Sequence, residues 1–169
     1  MKRFPVRAWL VALICLCLWL PFAALHISAA PCASCTSTTL TVEEQALWQG
    51  IAVARASAGL PALTVDAPTV VLARDRSMDM AWHHSFGHVS SAGTTFLDMM
   101  PAYGLTGQLA GETIQRNNYT DPAGEAARGL IASPEHHAIL FDPHYRIGGV
   151  GSATGNDGIH YFTIIVIEP

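Results

Sequence analysis

The residues that most restrict the fold are the last ones. The run "IHYFTIIVIE", Ile159 to Glu168, is almost entirely β-branched or aromatic, and both of its alternating faces read apolar. A strand without a polar face belongs at or near the centre of a sheet. "YRIGGVGSA" stands before it with the turn "TGNDG" between, so the chain closes on a β-hairpin. "LAGETIQ", Leu109 to Gln115, alternates as a further short strand. Most of what precedes the hairpin has helical spacing. Helices first and a terminal hairpin imply an α+β layered domain, not a parallel βαβ array.

The helices announce themselves by their caps. "TVEE" places Thr41 three residues before Glu44, a capping box, and Val42, Ala46, Leu47, Ile51 and Ala54 follow at helical spacing up to Gly59. In "DAPTVVLARDRSMDMAWHH", Asp66 or Ala67 caps a second helix with Pro68 in its first turn. Val71, Leu72, Ser77, Met78 and Ala81 are its expected buried stripe, and it should end before Gly87. "TTFLDMMPAYG" allows a short helix limited by Pro101. Asp121 and Ser133, each followed by proline, cap two more.

The start of the chain has a different character. Lys2, Arg3 and Arg7 precede the apolar run "AWLVALICLCLWLPFAAL", and small residues follow near Ala29 and Ala30, the pattern of a secretory signal over 1–30. Pro21 and His26 interrupt the run, which disfavours a permanent span. Residues 31–40 read as a linker, and 41–169 as one domain. Beyond the leader, six arginines face thirteen acids, a net charge of −7 that repels phosphate backbones and anionic lipid. No nucleic-acid partner is expected, and membrane contact only through the leader. Cys32 and Cys35 form "CASC"; without a second CxxC or a strand–helix context, a local disulfide in an oxidising compartment is expected.

Histidine is concentrated in "AWHHSFGHV" and "SPEHHAIL". His83 and His84 are adjacent and leave a helix in different directions. His84 and His88 have helical ligand spacing, but Gly87 ends the helix between them. Surface or interlayer packing is expected of His83, His137, His144 and His160. Ser85 or Ser133 beside a histidine and Glu112 could be written as a triad, but Ser133 reads as a cap and no GxSxG occurs.

"GLPALTVD", "RSMDMA", "FGH", "GET", "SPEHHAIL" and "IGGVG", in that order, resemble the CAP superfamily of cysteine-rich secretory, venom-allergen and pathogenesis-related proteins, in its compact bacterial branch. The resemblance implies a three-layer α-β-α sandwich around a small, largely antiparallel sheet. It also implies a cleft lined by two histidines and two acids, sometimes holding a divalent metal. By motif these are His88, Glu112 and His136, and the second acid falls at or near Ser133, where there is no carboxylate. Thr113 stands where the family has asparagine.

Two imidazoles and one carboxylate could hold a zinc ion with a water in the fourth place. The same three side chains could instead hydrogen-bond one another and close a polar pocket. The missing second acid favours an exported, monomeric binding or interaction module, secreted or periplasmic, for a small apolar or cell-envelope ligand. The alternative is a metal-assisted hydrolase acting on envelope peptide or glycan.

Overall fold

The computed structural model describes residues 39–169. The expected signal segment and, after it, Cys32 and Cys35 lie outside the described residues.

Helix α1, Val42–Ser57, opens on the expected capping box: the Thr41 hydroxyl accepts from the Glu44 N–H, and Glu44 accepts from the Thr41 N–H. Helix α2, Ala67–His83, is capped by Asp66. A short helix α3, Phe96–Met99, runs into a 3-10 turn, Met100–Tyr103. Helices α4, Pro122–Ala132, and α5, Pro134–Leu140, complete the set. The strands are β1, Thr64–Val65; β2, Leu109–Asn117; β3, Ile147–Thr154; and β4, His160–Glu168. At two residues, β1 is too short to show any periodicity in sequence.

The sheet order is β1-β3-β4-β2, antiparallel except for the short β1–β3 pair. The all-apolar final strand is therefore interior, hydrogen-bonded on both edges. Its alternation feeds two cores. Phe162, Ile164 and Val166 pack with Leu47 and Ile51 of α1 and Ala126 and Leu130 of α4. Ile165 and Ile167 pack against Leu72 and Ala73 of α2, with Phe96 and Met100 beyond. The result is a three-layer α-β-α sandwich. Arg55, fully enclosed, ties the layer of α1 to α5 by donating to the carbonyls of Leu140, Asp142 and Pro61.

The buried stripe of α2 differs from the expected one. Val70, Leu72, Ala73, Ser77, Met80 and Ala81 are buried, whereas Val71 and Met78 are only partly so. Arg74 and Arg76 are buried as well. On α1, Val42 and Ala46 are exposed, and Glu44 and Arg55 take inward positions. Two glycines explain how tightly α2 lies. A Cβ on Gly149 would meet the α2 backbone at Val70 N at 2.4 Å, and one on Gly151 would meet Ala73 C at 2.3 Å. The "IGGVG" pattern is thus a flat seat for a helix backbone. Seated this close, α2 presents both arginines to buried carboxylates: Arg74 to Glu44 at 2.6 Å, and Arg76 to Glu112 at 2.8 Å.

Candidate functional site

Glu112 lies on β2, on the face turned toward α2. It is 3 % exposed. One carboxylate oxygen, Oε1, accepts from Arg76 Nε at 2.8 Å; the other, Oε2, lies 2.7 Å from His88 Nδ1. Arg76 also donates to the Gly87 carbonyl at 2.7 Å, which fixes the loop carrying His88. A third contact holds that loop to β2, since the Arg116 guanidinium stands 4.9 Å from the centre of the Phe86 ring. With Nδ1 bound to the carboxylate, the remaining ring nitrogen of His88 points away from it, and the side chain is 55 % exposed. The arrangement is therefore an oriented, half-exposed imidazole over a buried Arg76–Glu112 pair.

His136 sits on α5, half-buried. Burial holds its imidazole below the ordinary histidine range, and the nearby charge of His88 adds to this, with Glu135 opposing. A raised value, as a carboxylate between two imidazoles would produce, is not what this arrangement gives. Glu112 hydrogen-bonds to His88 and not to His136. Ser133 is the N-cap residue of α5, but its hydroxyl makes no cap hydrogen bond, unlike those of Thr41 and Thr95. The turn between α4 and α5 gives its backbone the extended conformation, and Pro134 supplies a preset first turn without help from a side chain.

The implied metal does not fit this donor set. Both oxygens of Glu112 are engaged, and a guanidinium beside the carboxylate opposes a second positive charge. Among the described residues no group of three His, Cys, Asp or Glu side chains is arranged to hold an ion.

The other histidines among the described residues lie at or near the surface, each with partners of its own. Helix α2 ends at His83, whose Nδ1 lies 3.2 Å from Asp79, one turn back. His84 takes the left-handed conformation at φ 49° and pairs with Asp157. His137 stacks on Phe141, His144 pairs with Asp142, and His160 lies between Thr154 and Glu43. Arg76 is the residue beneath this candidate site that sequence reading passed over. Its signal was there: Leu72, Arg76 and Met80 follow one another at i, i+4 spacing, so the arginine occupies a core stripe.

The three-layer sandwich is the fold of a known class of proteins, and the chain matches the model of that class. Residues 49–166 match the family described as CAP, cysteine-rich secretory protein family, and the chain belongs to it. An uncharacterised protein YkwD of Bacillus subtilis (strain 168) is 30 % identical over 97 residues, 57 % of this chain, so the match spans 37 % of that relative's length. Among solved structures, an extracellular SCP-domain protein from Bacillus anthracis str. Ames superposes with a TM-score of 0.64 at 26 % identity, covering 79 % of this chain and 45 % of that one. An outer surface protein of Borrelia burgdorferi gives 0.66 at 18 % identity, covering 73 % of this chain and 90 % of that one, and shows the fold alone.

Proposed function

We propose that this protein is an exported, monomeric binding module, secreted or periplasmic, whose cleft takes a small amphipathic cell-envelope ligand. The observation that carries this reading is the engagement of Glu112 on both oxygens, which makes His88 a fixed hydrogen-bonding group and not part of a metal set. The ligand's polar head meets His88 and His136, with Ser133 at the rim. Its apolar part occupies a trough of about 480 Å³ lined by Leu97, Met100, Pro101, Leu105, Leu109 and Ala110. Ala110 is two residues before Glu112 on the same face of β2, roughly 7 Å along the strand from the carboxylate that holds His88. Export is supported by the leader pattern and by the extracellular description of the Bacillus anthracis relative. Among the described residues no helix is long and apolar enough to cross a membrane. Metal-assisted hydrolysis would need ligands that Glu112 cannot spare, and no step is derived through a metal.

Calorimetric titration with laurate tests the reading. Saturable binding, weakened by Leu97→Asp and by His88→Ala, is expected. Absence of laurate binding together with tight, one-to-one zinc binding that both His88→Ala and His136→Ala abolish would overturn it.

A further inference from the structure

A second cavity lies on the other flank of α2. Arg76 and Met78 are two residues apart, about 200° around a helix, so while Arg76 reaches β2, Met78 faces the far end of β3. Met78 and Trp82, one turn on, form one wall; Ala153, Thr154, Gly155 and Asn156 form the other, enclosing about 490 Å³. That lies within the ~300–1,000 Å³ of ligand sites in general.

Trp82 is 80 % exposed, an unusual position for the largest apolar side chain. The end of α2 is tied to the β3–β4 turn next to the cavity. His84 is the one non-glycine residue at positive φ among the described residues, and its Nδ1 lies 3.1 Å from Asp157 in the β3–β4 turn. A side chain on Gly155 would meet Asp157 Oδ1 at 2.5 Å, so the turn folds back on itself beside the cavity. A non-glycine residue in the left-handed region persists only where its surroundings hold it there.

We infer that this cavity binds a neutral carbohydrate ring. A free indole face attracts the weakly positive C–H face of a sugar. The Thr154 hydroxyl, which also contacts His160 at 3.2 Å, and the Asn156 amide offer donors and acceptors to its hydroxyls. A purely apolar ligand would leave those polar groups unpaired. A cationic ligand would find the carboxylates at this end already engaged, Asp157 by His84 and Asp79 by His83. The inference is independent of what the His88 cleft binds.

The test is calorimetric titration of the protein with two soluble neutral sugars, the β-1,4-linked N-acetylglucosamine tetramer and cellotetraose. Saturable binding of either is expected. Trp82→Ala, an exposed change, should leave the circular dichroism spectrum and laurate binding as they are, yet weaken sugar binding by about tenfold or more; Trp82→Phe, which keeps a ring, should weaken it by about threefold. No saturable heat with either sugar up to about 5 mM, or equal affinity in Trp82→Ala, overturns the proposal. So does a dimer in sedimentation equilibrium that Trp82→Ala dissolves, since the exposed indole would then be a contact between protein copies.

Discussion

Arg76 Nε and Glu112 Oε1 meet at 2.8 Å in the interior, where the arginine is fully buried. The pair links the middle of α2 to β2, and through Gly87 and His88 it also sets the loop beyond the helix. The placement of His88 thus depends on a contact beneath it. A buried ion pair gains little over an apolar pair of the same shape, but removing one partner strands the other. Arg76→Ala should therefore cost roughly 3–5 kcal/mol by urea unfolding, and Arg76→Met with Glu112→Leu should recover most of it. A single variant within about 0.5 kcal/mol of the parent, the scale of an ordinary surface substitution, would show the pair to be incidental.

The glycine seat under α2 makes a second prediction. Gly151→Ala places a methyl 2.3 Å from the carbonyl carbon of Ala73, backbone that cannot swing aside. Overpacking of this kind costs about 3 kcal/mol, at the upper end of the usual range. Gly87→Ala, where an added Cβ meets nothing within 4 Å, is the control and should change the melting temperature little.

A pH dependence of stability follows from His136. Its folded-state value is held below the unfolded one by burial first and His88 second, so the folded state disfavours the proton. Stability from this group is fully present above the unfolded histidine value, near 6.5, and is lost as pH falls through the lowered folded value. A proton NMR titration should place the His136 midpoint below that of an unfolded histidine. His88→Ala, by removing one of the two causes, should move the midpoint upward; an unchanged midpoint would show that the two imidazoles do not feel each other.

The limits of the folding unit can be checked at both ends. Removing Tyr161 to Pro169 takes away the interior strand, whose buried side chains are each worth roughly 1.5–3 kcal/mol. No cooperative thermal transition should remain. A chain beginning at residue 39, which retains the Thr39 carbonyl that Arg74 donates to, should fold, as measured by circular dichroism.

Local chemistry was legible in the sequence because it is decided by neighbours in the chain. Thr41 with Glu44, Asp66 and Asp121 cap helices through contacts three residues away, and the two apolar faces of β4 demanded an interior place before any partner strand was known. The order of short motifs was enough to indicate the family and to single out His88 and Glu112, which the fold does bring to 2.7 Å. It did not reveal the role of Arg76: the Leu72–Met80 stripe gave its place, but the carboxylate that it meets lies 36 residues away. Nor could spacing tell a metal triad from a hydrogen-bonded pair. That depends on which oxygens of Glu112 are already occupied, a matter of how closely α2 lies on β3, and the closeness is set by two missing side chains, Gly149 and Gly151. Sequence determined which residues form each element; the distance at which the layers pack decided what the charged residues between them can do.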